Sequence, residues 1–469
     1  MSSNAAQIRP VNDADLLMFR NYAGYTETRL EDSWRPDDEA EESLKDAAIE
    51  EPLIGGDRSK SIEQAHSYVS SRHRTSASSV AIAILKANLG SGILYLPRAW
   101  VNGGWLFSTL VLPILAFMAG TCSLRLVQCR RIVRKGGYGD IMLEATGSKF
   151  GRIMIDLSLL ALQSGICTGY FVFVANMASD VSPWIASLPF STKVLLQAAI
   201  ITPLCWFRQV SKLSLTNLTA NVLIILSLFG LVAFMVTAGP GEAAALHSET
   251  HERSYPPINF WDGGFLVFMG TALYVFEGIG LILPTYDSMK EPQKFEKVFS
   301  RAFAVTTASF LFIGLAGYYE FGPYTQTIVL SNLPQGSLLS SAVKSMYTLA
   351  VFITFPFQLL PAVRLVEYYS GYFPKQRHVP LRRKMAKNLF RLIYILFLAG
   401  IAMVAGRDLD HFISLIGSMC GLPLVFIAPP ICHMKLIGGT NKSDMGILVF
   451  GVLVMISATI SNIVSFGTH

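Results

Sequence analysis

"ILKANLGSGILYLPRAW" (residues 84–100) decides how this chain is read. It opens the first solidly apolar stretch, as a membrane helix does, yet it carries Lys86, Asn88, Gly90, Gly92 and Pro97. A helix in lipid satisfies its own backbone hydrogen bonds, and an interruption frees N–H and C=O groups that hydrocarbon cannot satisfy. Such a break is tolerated only where it is buried in protein or lines a cavity.

Outward from this stretch, the chain of 469 residues is 52% hydrophobic and only 15% charged. A soluble domain carries nearer a quarter charged residues. Apolar runs of roughly twenty residues recur, long enough to cross a hydrocarbon core about 30 Å thick. They lack strict alternation, which excludes barrel strands and predicts an all-α polytopic membrane protein. Eleven spans are expected, near 77–101, 104–128, 152–181, 192–207, 213–237, 263–288, 299–322, 337–369, 388–406, 410–434 and 444–466. A small interfacial helix is expected between Tyr138 and Gly147.

Lys and Arg cluster in alternate loops: Arg130, Arg131, Arg134 and Lys135, then Lys290, Lys294, Lys297 and Arg301, then residues 375–387. This positive-inside pattern puts the N-terminus in the cytosol. Residues 1–74, polar and without a sustained apolar period, are expected to be a disordered cytosolic tail with no cleavable signal, and 75–469 the membrane domain. The tail segment Glu50–Ile54 loosely resembles a dileucine-type sorting signal, and chance explains it equally well. The glycosylation patterns at Asn217 and Asn441 read as chance matches, and the six cysteines form no disulfide framework. The net charge of +6 lies in short loops and does not point to nucleic acid. No phosphate-binding loop, metal-spaced Cys/His cluster or paired intramembrane acid is present, so neither enzyme chemistry nor a cofactor or metal is expected.

"GSGILYLP" (90–97) has a counterpart in "GIGLILP" (278–284), five spans later. Paired Gly/Pro interruptions in the leading helices of two halves point to a transporter binding site. Because five is odd, the second five-helix repeat is inverted. A half-helix starting near Gly92 offers a positive dipole end to a carboxylate. Carbonyls ending the other half-helix near Phe276 offer negative ends to an ammonium. The pair is matched to a zwitterion. The small-residue pairs Gly165/Gly169 and Gly417/Gly421 are expected to serve helix packing instead.

At these residues the chain resembles the amino acid/auxin permease family, most closely its proton-coupled amino acid transporters and fungal vacuolar amino-acid exporters. "LKANLGSGILYLP", "FEGIGLILP" followed by "SMKEP", and "TFPFQLLPAVRLVE" carry the resemblance, which runs from about residue 75 to the end. It implies a LeuT-like 5+5 inverted repeat with substrate between interrupted helices 1 and 6. The chain departs from many relatives at Ala83, where animal proton-coupled members carry histidine, and at Tyr286, where an acid is common. No histidine lies deep in a span; His411 and His433 fall near span ends.

The substrate site is therefore assigned to Asn88, Leu89, Gly90, Ser91, Gly92, Tyr170, Phe276, Glu277, Gly278 and Gly280. Glu277 is the leading residue, because a mid-membrane carboxylate costs roughly 2.5–3.5 kcal/mol on insertion scales. It is read as a proton carrier or a brace for the break. Asn88 serves as an ion ligand or a helix cap, and Thr354 as a second ion-site oxygen or a hydroxyl bonded to its own helix. Lys86 snorkels inward or pairs with Asp156 in an inner gate. The expected function is secondary active transport of neutral amino acids, coupled to protons, with sodium coupling as a rival. A vacuolar or lysosomal membrane is favoured over the plasma membrane. An amino-acid sensor signalling through the tail is the alternative from another class; auxin and polyamine are rival substrates.

Overall fold

The computed structural model describes residues 75–134, 136–206, 214–238, 262–276, 278–334, 336–369, 381–439 and 441–465. The expected tail, its sorting-like segment and Glu277 lie outside the described residues. The helical body comprises 76–133 and the chain from 137 onward.

The first helix is broken where the sequence is. Its first half, α1a (Ala77–Asn88), ends at Leu89, whose ψ of 53° leaves the helical range. Gly90 is extended, a short 3-10 turn runs Ser91–Tyr95, and α1b follows at Leu96–Gly103. The two parts are bent by 42°. Pro97 sits in the first turn of α1b, where its missing N–H removes no helical bond. The remaining helices are α2 (Trp105–Val133), α3 (Lys149–Val181), α4 (Phe190–Cys205), α5 (Ser214–Ala238), α7 (Phe295–Phe321), α8 (Leu338–Tyr369), α9 (Leu381–Ala405) and α11 (Lys442–Ser465). The sixth is broken too, into α6a (Phe265–Val275) and α6b (Ile279–Asp287). α10 (Leu409–Leu436) contains two π segments, Gly417–Gly421 and Pro423–Ile427. The interfacial helix is present at Tyr138–Thr146.

Among the described residues nine helices are long and apolar enough to span a membrane, ten with the bent first helix counted once. The expected eleventh is α4, whose 16 residues reach about 24 Å at 1.5 Å per residue. It is shorter than the hydrocarbon core.

Packing follows the expected repeat. If helices 1–5 correspond to 6–10, contacts should recur with these numbers exchanged. They do: α1 packs on α7 and α6 on α2, α5 on α8 and α10 on α3, α3 on α9 and α8 on α4. Moreover α1a packs on α6b and α1b on α6a, the antiparallel crossing that inversion demands. Large apolar side chains such as Phe117, Phe229, Leu338 and Phe397 stay exposed, a surface suited to lipid.

Candidate functional site

The two breaks face each other. Gly278 is packed against the Asn88 side chain: a Cβ there would lie 2.7 Å from Asn88 Oδ1 and 2.8 Å from Nδ2. Across the crossing, a Cβ on Gly92 would meet Val275 Cα at 3.4 Å. Gly278 is thus the tight position, leaving room for the Asn88 amide, while Gly92 lies at about ordinary contact distance from Val275. Asn88 Nδ2 donates to Ile84 O at 2.8 Å, so the asparagine ends its own half-helix. Its buried amide is held against Gly278 as well.

Ser91 opens the 3-10 turn after the break. Its Oγ is buried and makes no hydrogen bond. An unpaired buried hydroxyl costs about 1–3 kcal/mol, so its position beside the free N–H groups of a helix start calls for a ligand. The carbonyl of Gly90, freed by the same break, accepts from the Tyr347 hydroxyl of α8 at 3.0 Å. Tyr95, the last residue of the 3-10 turn, and Tyr274, in the last turn of α6a, pack edge to face at 6.1 Å. Both hydroxyls approach Gly169 on α3, at 3.9 and 3.4 Å from where a Cβ would stand.

The face at which α1 begins is called here the near face, and the one at which it ends the far face. Toward the near face a small cavity is lined by Asn88, Ser123, Phe276, Gly278, Phe299 and Phe303. It has room for about one water molecule. Phe276 closes it, packing at 5.6 Å on both Phe303 and Phe310 of α7. Phe295, Phe299 and Phe303 recur every four residues, the spacing that puts them on one helix face, and they stack in series. Toward the far face, Arg98 of α1b donates to Thr325 O at 3.2 Å and meets Asp410 of α10 at 3.5 Å. Trp100 and Phe268, both fully buried, pack edge to face above the crossing.

Other expected site residues lie as follows. Tyr170 is buried on α3 against Phe355 of α8. Leu89 is part-buried at the break itself. Gly280 faces Leu159 of α3 rather than the crossing. Thr354 spends its hydroxyl on Ala350 O and Val351 O of its own helix, so the α8 hydroxyl at the break is Tyr347's. The suggested Lys86–Asp156 pair is not formed: Asp156 accepts from Tyr369 at 2.5 Å and lies 3.7 Å from Arg152 Nε. Gly165 meets Ile416 and Gly417 meets Gly270, which makes both packing glycines, as expected.

The sequence reading passed over Tyr347 and the Arg98–Asp410 pair. The available signal for Tyr347 was its place two turns before Thr354, on the same side of α8. It also passed over a near-face cluster of Arg125, His433 and Asp444. His433 read as a residue at a span end, while its partners stand on two other helices.

Residues 73–465 match the family described as "Transmembrane amino acid transporter protein". Vacuolar amino acid transporter 3 of Saccharomyces cerevisiae is 33% identical over 82% of this chain and 56% of its own length. Vacuolar amino acid transporter 4 of the same yeast is 32% identical over 78% of this chain and 53% of its own. The chain thus spans about half the length of these yeast relatives. Amino acid transporter AVT3B of Arabidopsis thaliana is 29% identical, covering 84% of this chain and 94% of its own. A solved Na+-coupled sialic acid symporter superposes with a TM-score of 0.45 at 14% identity, covering 84% of this chain and 90% of its own. With its family match running through all the described helices, this chain belongs to the transmembrane amino acid transporter family.

Proposed function

We propose that this protein is a secondary active transporter of neutral amino acids, driven by protons and working by alternating access around the α1–α6 crossing. The observation that carries the reading is the buried, unpaired Ser91 hydroxyl at a helix start, opposite a second broken helix. Ser91 and the neighbouring N–H groups would take the substrate carboxylate, and the carbonyls ending α6a its ammonium. The described residues lining the small adjoining cavity are uncharged, which is in keeping with a neutral substrate side chain. The Phe276 packing on one side and the Arg98–Asp410 pair on the other are the proposed closures of the crossing. Transport then requires each closure to open in turn.

Proton coupling is proposed because Glu277, a carboxyl within the sixth span, is a group able to gain and lose a proton there. Glu277 is the proposed proton carrier. The names of the yeast relatives support a vacuolar membrane, and the loop charges support a cytosolic N-terminus. The test is uptake of labelled neutral amino acids into proteoliposomes in sodium-free buffer, with and without an imposed pH gradient, for wild type and Glu277→Gln. Saturable uptake that follows the gradient and is lost in the variant is expected. Uptake indifferent to pH would remove the proton from the account, and folded protein that neither binds nor moves any amino acid would remove the transporter.

A further inference from the structure

Arg125 and Gln128 of α2, His433 of α10, and Ser443 and Asp444 of α11 form a polar cluster away from the crossing. Arg125 is ion-paired to Asp444 and donates to Ser443 Oγ at 2.9 Å. His433 Nδ1 lies 2.8 Å from Asp444 Oδ2, and its Nε2 lies 3.1 Å from Gln128 Oε1. Asp444 is fully buried, Arg125 is nearly so, and the His433 side chain keeps 15% exposure. On the α10 side Cys432 contacts Met142, and Tyr138 of the interfacial helix donates to Leu424 O. Among the described residues, Arg125 and Asp444 are therefore the charged groups bonded into this cluster.

Hydrogen-bond direction makes the cluster two-state. A carboxylate only accepts, so Nδ1 of His433 carries a proton in either state. If Gln128 presents its carbonyl oxygen to Nε2, that nitrogen is protonated too, and the ring is an imidazolium. If the Gln128 amide is reversed, its NH2 donates to a bare Nε2, and the ring is neutral. The amide orientation is the variable that accompanies the proton. Charge separates the states as well: Arg125 and Asp444 balance, so a protonated His433 leaves one uncompensated positive charge in a buried site.

The cluster is placed where that difference matters. Ser123 of α2 and Val425 of α10 line the near-face cavity, and both helices continue into the cluster. Two residues beyond Gln128, Arg130 makes a forked pair with Asp287 at the end of α6b, with contacts of 2.8 to 3.2 Å. Arg131 pairs with Glu296 of α7 at 3.0 Å. One end of α2 thus joins the cluster to α6b, the second half of the broken sixth helix.

We propose that His433, held between Asp444 and Gln128, is a proton-binding site separate from Glu277, whose occupancy sets how α2, α10 and α11 are held together at the near face. The transport consequence rests on the function proposed above; the proton binding does not. The full chain, labelled in its histidine rings and placed in lipid nanodiscs, is titrated by NMR between about pH 5 and pH 8. His433→Asn identifies the His433 signal, because asparagine keeps a donor toward Asp444 but takes up no proton. The expected result is a His433 ring that changes protonation within this range, with a midpoint that Gln128→Leu displaces. A ring that does not titrate, or a midpoint indifferent to Gln128→Leu, overturns the proposal. Should His433→Asn not fold, the signal displaced by Gln128→Leu identifies the ring instead, and no displaced signal counts against the site.

Where amino-acid exchange is measurable, its rate at equal pH on both sides is followed across the same range. His433→Asn is expected to flatten the wild-type pH profile while keeping exchange at its plateau. A profile superimposable on wild type would overturn the coupling to transport. If the protein exchanges no amino acid at all, the function proposed above fails and the NMR titration alone decides the site.

Discussion

Removing one oxygen, by Tyr347→Phe, tests whether the break in α1 is held in place by α8. The Tyr347 hydroxyl is the donor to Gly90 O at 3.0 Å, and the side chain is fully buried against Phe173. Phenylalanine keeps that ring packing and removes the hydroxyl that donates to Gly90 O. A hydrogen bond of this kind contributes about 0.5–1.5 kcal/mol net, and a carbonyl left without a partner costs about 1–3 kcal/mol. Because Gly90 is part-exposed, the lower half of that range applies, about 1–2 kcal/mol, or a factor of roughly 5–30 in an equilibrium constant. The loss falls on the ordered break proposed above as the substrate site, so amino-acid affinity of the purified protein should drop by that factor. The assay is equilibrium binding of a labelled neutral amino acid, beside thermal unfolding. Thr348→Val is the control, since that hydroxyl is bonded to Lys344 O of its own helix and should leave binding unchanged. Wild-type affinity in Tyr347→Phe, or an equal loss in Thr348→Val, would refute the reasoning.

Five other substitutions separate the site from its surroundings. Ser91→Ala removes a hydroxyl that has no partner in the unliganded protein, so thermal stability should hold or rise slightly while amino-acid affinity falls several-fold. Gly278→Ala drives a methyl group into Asn88 and should reduce transport by about tenfold or more, whereas Gly280→Ala, whose Cβ would meet Leu159 at 3.5 Å, should transport normally. Gly417→Ala forces α10 off the backbone of Gly270 and should cost about 3 kcal/mol or more, visible as loss of folded protein, while Gly421→Ala, 3.6 Å from Leu273 O, should fold.

The parts of this architecture that the sequence displays are local ones. Gly90 and Gly92 in an apolar run, and Gly278 and Gly280 in another, announce breaks because glycine and a following proline act on their own stretch of backbone. The structure breaks both helices there. Equivalence of the two prolines does not carry over, since Pro97 begins α1b whereas Pro284 lies within α6b. What could not be read was which distant side chain satisfies the freed groups. Tyr347 reaches a carbonyl 257 positions away, and aromatic residues in membrane helices look alike in sequence. Thr354 was the α8 hydroxyl that the sequence offered, as an ion-site oxygen or a group bonded to its own helix, and its hydroxyl does donate within its own helix. His433 looked peripheral because only the packing of α2, α10 and α11 brings Gln128 and Asp444 to its two nitrogens. The close crossing of α10 with α6a, where Gly417 meets the Gly270 backbone, is likewise a contact that no single stretch encodes.

The most direct test of the central claim is a cryo-electron microscopy structure of the full chain in lipid, saturated with a neutral amino acid that it transports. The account predicts the substrate between the two breaks, its carboxylate on Ser91 Oγ and the N–H groups that start the turn at Ser91, its ammonium toward the carbonyls ending α6a. An amino acid bound elsewhere, with Ser91 still unpartnered and the crossing unchanged, would contradict it.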